Sequence, residues 1–172
     1  MSIPLSTIKA ALKIDYSDDD ADLIRLREAA WSLVERETGL ALTPAVRTQY
    51  LARWADTCIA FHPFTSVASV QYRDGTNVLT TMPAADYWID RSEGALPIIR
   101  FLESPSIYEG SNIEVNVTCG YSAIPNELVH AMIAIVGGWY SNPEAFQPIG
   151  LSMVPMSVQY ILESHRVRSF LR

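Results

Sequence analysis

The run Leu128–Tyr140 constrains this chain most. It reads Leu, Val, His, Ala, Met, Ile, Ala, Ile, Val, Gly, Gly, Trp, Tyr, and His130 is its one polar residue. Pro125 presets φ near a helical value where its missing N–H costs nothing, so it is the expected first helical residue. Pro143 cannot continue a helix and biases Asn142 out of the α region, which ends the segment at Ser141-Asn142. A helix without a polar face is normally enclosed on every side. The run falls short of the roughly 20 apolar residues that span a bilayer. The expectation is therefore a central helix over 124–141 in a soluble fold, enclosed by its own chain and a neighbouring subunit. Gly137-Gly138 lies inside it, where each glycine costs about 1 kcal/mol relative to alanine. Close approach by another helix or subunit accounts for the pair better than a ligand does. Gly137, Gly138, Trp139 and Tyr140 are thus candidate subunit-interface residues.

Before that helix, the hydrophobic period changes twice. Leu5, Ile8 and Leu12 share one face of a short helix that Ser6 or Thr7 can cap. A longer helix is expected from about Asp19 to Thr38, with Gly39 at its end. Leu23, Leu26, Ala30, Leu33 and Val34 form its apolar stripe, while Arg25, Glu28, Ser32, Glu35 and Arg36 form the wet face. Trp31 sits at the border, suited to the core or to a subunit contact. From Val46 the period becomes two, which predicts strands. Short strands are expected at Ile59–Phe61, Val67–Arg73, Asn77–Thr81, Tyr87–Asp90 and Ile98–Leu102, with a hairpin signal at Asp74-Gly75. A half-buried last strand, Ile113 to Cys119, leads to the central helix. A final helix over about Ser157–Ser164 buries Val158, Ile161 and Leu162. The fold class is α+β: a mainly helical core with an inserted antiparallel β region. It is read as one domain over 1–172, with helices in 1–40, strands in 46–119, the central helix in 124–141, and a closing helix and tail in 157–172.

Candidate chemistry is sparse. Ser17-Asp18-Asp19-Asp20 lacks the spaced oxygens, central glycine and closing glutamate of a calcium loop, and reads as a cap plus carboxylates at a helix's positive end. His62, His130 and His165 form no i, i+4 pair, and Cys58 and Cys119 form no Cys-x-x-Cys, so zinc has little support. Both cysteines sit among strand-forming residues and read as reduced core thiols. A Cys119–His130 dyad is conceivable, but no orienting group or oxyanion site is marked. Gly120-Tyr121 has neither a phosphate-loop lysine nor repeated glycines. The expectation is no enzyme, no metal and no cofactor. The N-terminus shows no secretory signal pattern.

Charge adds one clue. The formal charge is −6, yet residues 163–172 carry one acid, Glu163, against Arg166, Arg168 and Arg172. An acidic body does not suit polyanion binding, which replaces condensed counterions with cations. A small basic tail on such a body suits an acidic protein surface.

The order of elements resembles the head–tail connector (adaptor) proteins of long-tailed bacteriophages and related gene-transfer particles. The likeness is carried by Leu5 to Asp15 with the acidic cap 17–20, and by Glu35-Arg36-Glu37-Thr38-Gly39. It continues through His62 to Tyr72 and Asp86 to Asp90. Its clearest piece is Val115 to Tyr121, Ile124-Pro125 and Ala131, closing at Trp139-Tyr140-Ser141-Asn142. Val154-Pro155 to Arg166 resembles the family's closing helix and arginine. The chain departs from the pattern at Pro143, where the family would lead one to expect a charged residue, and in its short tail. The resemblance implies a structural virion protein of the neck, assembled in the host cytoplasm into a ring, commonly dodecameric, beneath the portal. Such a ring extends the DNA channel and offers a platform for a stopper or tail protein. DNA would pass without specific binding, and no membrane is involved. Arg166, Arg168, Phe170, Leu171 and Arg172 become candidate portal contacts. Trp31 and Gly137 to Tyr140 become candidate contacts between subunits. The alternatives are another phage neck or tail-completion protein, or a small thiol-dependent enzyme.

Overall fold

The computed structural model describes residues 3–92, 96–142 and 156–167. Among the described residues, four α-helices and two antiparallel sheets make an α+β fold, divided into two compact units. One unit comprises the residues up to Thr43 together with Ser122–Val167, and the other is Pro44–Tyr121. The β region expected within 46–119 therefore forms a unit of its own.

The helical unit holds α1 (Leu5–Leu12), α2 (Asp20–Thr38), α3 (Asn126–Ser141) and α4 (Met156–Ser164). On α2, Leu23, Leu26, Ala30 and Val34 are buried as their spacing predicts, and Thr38 joins them. The Thr38 hydroxyl donates to the Val34 carbonyl at 2.6 Å, which satisfies a polar group in an apolar place. Gly39 ends α2 at φ 72°, a left-handed conformation that lacks a penalty only without a Cβ. α4 buries Val158 and Leu162, with Ile161 half-buried beside them.

Three helix ends differ from expectation. Pro4, not Ser6 or Thr7, precedes α1, and no side chain caps it. Asp19 precedes α2 without a side-chain cap bond, because its carboxylate is engaged by α3. Pro125 lies just outside α3, with ψ 136°, and its carbonyl accepts from Leu128 and Val129. On α3 the chain itself covers one side. It buries Leu128, Ala131, Met132, Ile135 and Val136, a single stripe at helical spacing. Ile133, Ala134 and Gly137 to Tyr140 are only half-buried, and His130 is exposed. Apolar composition all round has not produced enclosure all round within one chain.

The β unit pairs β1 (Ala45–Leu51), β7 (Ile113–Cys119), β3 (Phe64–Arg73) and β4 (Leu79–Thr81) in that spatial order. A smaller sheet pairs β2 (Thr57–Cys58), β6 (Ile98–Phe101) and β5 (Tyr87–Asp90). β7 alternates strictly: Ile113, Val115, Val117 and Cys119 are buried, and Glu114, Asn116 and Thr118 are half-buried. Trp54 joins the two sheets. Its ring meets Tyr72 at 5.2 Å and Phe101 at 5.1 Å, both edge-on, while Nε1 donates to the Pro105 carbonyl. Such edge-to-face contacts align a ring's positive edge with a negative face.

The hairpin after β3 forms, but Asn77 rather than Gly75 takes the left-handed conformation, at φ 66°. Asp74 Oδ1 accepts from the Thr76 amide and hydroxyl and from the Val78 amide, and these bonds hold its carboxyl below the usual range. β2 occupies 57–58 instead of 59–61, which leaves Cys58 exposed. Only Cys119 is the core thiol expected, donating to the Ala45 carbonyl.

His62 is buried in this unit, and Nε2 is without a hydrogen-bond partner among the described residues. Desolvation holds its pKa below the usual histidine value, with a backbone bond at Ile59 offsetting part of that. In the unfolded chain this histidine protonates below about pH 6.5. The unfolded state then binds a proton that the folded state resists. Stability present above that pH is lost as the pH falls towards the folded-state pKa. Urea midpoints of the β unit's transition should therefore fall as the pH drops below about 6.5. His62→Leu should flatten that dependence, and an unchanged slope would clear His62 of the role.

Candidate interaction surfaces

The helical unit is fastened by polar side chains that the chain brings together from distant positions. Lys9 Nζ reaches Asp20 Oδ1 at 2.7 Å and the Tyr16 carbonyl at 2.6 Å, tying α1 to the start of α2. The Tyr140 hydroxyl donates to Asp19 Oδ2 at 2.5 Å and stands 2.8 Å from the Tyr16 hydroxyl. With its own proton directed at Asp19, the Tyr140 oxygen accepts a hydrogen bond from the Tyr16 hydroxyl. The Asp19 bond pushes the Tyr140 pKa well above that of ordinary tyrosine. The acidic run thus works as a clasp between helices. At the other end of α3, His165 Nε2 lies 3.4 Å from Glu127.

The candidate interface residues fall into three groups. Trp31 is half-buried on α2 and lines an open groove of about 340 Å³ with Arg27, Glu28, Ser32 and Thr43. On α3, Gly137 is approached by its own chain: a Cβ there would lie 2.8 Å from Leu12 Cδ2 of α1. Gly138 faces open space, while Trp139 and Tyr140 are half-buried. Arg166 is exposed just beyond α4, and Arg168, Phe170, Leu171 and Arg172 lie outside the described residues.

The glycines invite a direct comparison. Gly138→Ala should raise stability by about 0.5–1 kcal/mol, the usual gain from removing a helix-interior glycine. Gly137→Ala should gain less, since Leu12 must rotate aside. Thermal melts of both variants check the order.

No catalytic arrangement assembles among the described residues. Cys119 is buried, unlike the accessible low-pKa thiols that react, and His130 is exposed on α3. No three metal-ligating side chains converge among the described residues, and no helix there is long and apolar enough to cross a membrane. Sequence reasoning missed an apolar face on the smaller sheet. Trp88 and Leu102 are exposed there, and Arg100 packs over Trp88 while bridging Asp56 and Asp90. The four-residue strands β5 and β6 are too short for their alternation to mark that face in the sequence.

The fold therefore defines an α+β protein that presents surfaces rather than a reaction centre among its described residues. The same fold occurs in solved gene transfer agent (GTA) particles. A chain in the neck of an empty GTA particle, computed with C6 symmetry, matches with a TM-score of 0.78 at 24% identity, covering 99% of this chain and 93% of that one. One in the virion of a native GTA particle matches at 0.77 and 23% identity, with coverage of 99% and 93%. A third, in the neck of a native GTA particle computed with C12 symmetry, matches at 0.70 and 22% identity, covering 100% and 96%. No protein-family model and no curated protein matches the chain.

Proposed function

We propose that this chain is a structural protein of a virion neck: a head–tail connector that assembles as a dodecameric ring beneath the portal. The observation that carries this reading is the whole-length likeness of fold to chains in GTA necks computed with C6 and C12 symmetry. Three features of the chain support it. α3 keeps a half-buried apolar side that a neighbouring copy can cover. The groove beside Trp31 offers a second contact surface. The acidic body disfavours adhesion to DNA, as a channel wall requires.

In this role the ring extends the DNA channel and carries a stopper or tail protein, without catalysis or cofactor. Its partners are the portal, the tail-side protein and further copies of itself. Its place is the neck, reached from the host cytoplasm during assembly. Arg166, with Arg168, Phe170, Leu171 and Arg172, would meet the portal, while Trp31 and Gly137 to Tyr140 would serve contacts between subunits. Another neck or tail-completion protein is the second reading, and the same fold likeness to neck chains supports it.

Crosslinking in purified particles separates the two, because a connector touches the portal and a tail-completion protein does not. The free protein should run as a monomer or weak oligomer in light scattering and form a closed ring only on the portal, as head-to-tail addition about an axis permits. A symmetric dimer that persists in assembled particles would count against the connector.

A further inference from the structure

We propose that neighbouring copies join through the two open edges of the four-stranded sheet. β4 of one copy adds to β1 of the next, so that one antiparallel sheet runs through successive subunits. This inference rests on the ring reading above and names the surface that closes the ring.

Among the described residues, the spatial order β1-β7-β3-β4 leaves β1 and β4 each with a single strand neighbour. Such an edge presents a row of backbone N–H and C=O groups ready to take another strand. Every pairing in this sheet is antiparallel. With four strands, β1 and β4 consequently run in opposite directions. Copies related by rotation about a ring axis keep their strand directions, so β4 meets the next β1 antiparallel and the alternation continues unbroken. The two edges differ from each other, as a head-to-tail contact requires; a two-fold dimer would use the same patch twice.

The side chains agree with the backbone. Register places Val46, Thr48 and Tyr50 of β1 on the same face as Glu114, Asn116 and Thr118 of β7. That face continues through Ser69 and Gln71 of β3 to Leu79 and Thr81 of β4. Hydrogen bonds from Thr48 to Asn116, from Asn116 to Ser69 and from Gln71 to Thr81 mark the row. At its two ends stand exposed apolar residues: Val46 at 62% and Tyr50 at 63% on one edge, and Leu79 at 53% on the other. Edge strands of proteins that stay apart are usually guarded by lysine, proline or inward charges. β4 has no charged residue or proline, and the one charge of β1, Arg47, lies on the opposite face. Leu79 packed against Val46 or Tyr50 of the next copy would be an ordinary cross-strand pair.

Paired cysteines in assembled particles test this. In a Cys58→Ser background, since Cys58 is exposed, Leu79→Cys is combined with Val46→Cys, Thr48→Cys or Tyr50→Cys. Directly opposed residues have Cβ atoms about 4.5–5.5 Å apart, close enough for oxidation to link a pair with slight adjustment. One of the three combinations should give a ladder of linked subunits on a non-reducing gel, rising to the size of the full ring. The opposite-face control, Leu79→Cys with Arg47→Cys, should stay monomeric. If particles contain the chain in a neck ring yet no same-face pair links, or the control links equally, edge pairing is wrong and the connector reading stands. If the chain is absent from the neck, both fall together.

Discussion

Val136→Asp should unfold the helical unit. Val136 is 1% exposed and closes the buried stripe of α3 at its C-terminal end. A carboxylate placed there has no cation to pair with among the residues that form that stripe. The effective penalty for an ion buried alone is several kcal/mol. Protonation lessens that cost but leaves a buried polar group. A typical domain has about 5–15 kcal/mol of stability in all, so one such change consumes a large part of it. Ile133→Asp, on the half-buried side, should be milder in the isolated protein and should impair assembly instead. Urea titrations of both variants, followed by helical circular dichroism, give the comparison. Equal and small shifts would remove α3 as the organising element.

Removing residues 168–172 should leave folding almost untouched and abolish the joining of tails to heads. Val167 is kept deliberately. Its N–H donates to the Thr38 carbonyl at 2.8 Å and its Cβ lies 3.8 Å from where a Cβ on Gly39 would stand, so it belongs to the helical unit. Beyond it, Arg168, Phe170, Leu171 and Arg172 combine cations with apolar bulk, a composition enriched at interface hot spots. The melting temperature should stay within a degree or so, on the usual conversion of small free-energy changes. Particle preparations should contain DNA-filled heads without tails. Normal yields of tailed particles from the truncated chain would falsify the portal anchor and direct attention to Arg166 alone or to another surface.

Periodicity made much of this fold legible. The stripe on α2 and the alternation of β7 are local patterns, and burial follows them closely, with Leu33 of α2 half-buried as the exception. The hairpin after β3 was readable because turn chemistry is local as well, although the left-handed residue proved to be Asn77. Contacts between distant positions left no such trace. Nothing within five residues of Asp19 shows that its carboxylate will meet Tyr140 instead of capping its own helix. The same holds for Lys9 with Asp20, and for Trp54 between Tyr72 and Phe101. The apolar run of α3 was a sound sign of a core helix, of which the chain itself buries one stripe. Of the interface candidates, Gly137 is accounted for by Leu12 of the same chain, whereas Gly138 faces open space. Exposed surfaces made of residues that alternate on a sheet, such as Trp88 with Leu102, were hidden because the strands themselves are short.

The pairing of Ala45 with Cys119 has a consequence for how the two units share their stability. The chain enters the β unit and leaves it at two residues held face to face, about 5 Å apart across the ladder. To the helices, the folded insertion is therefore no longer than a tight turn. Melted, the same roughly 75 residues become a flexible loop whose closure costs on the order of 4 kcal/mol, against under 1 for a tight turn. The sheet thus lends the helices about 3 kcal/mol through chain statistics alone, without any side chain passing the message. Acidification that loosens the β unit at His62 would be felt in the helices as a lower stability of their packed state, a form of communication written in entropy.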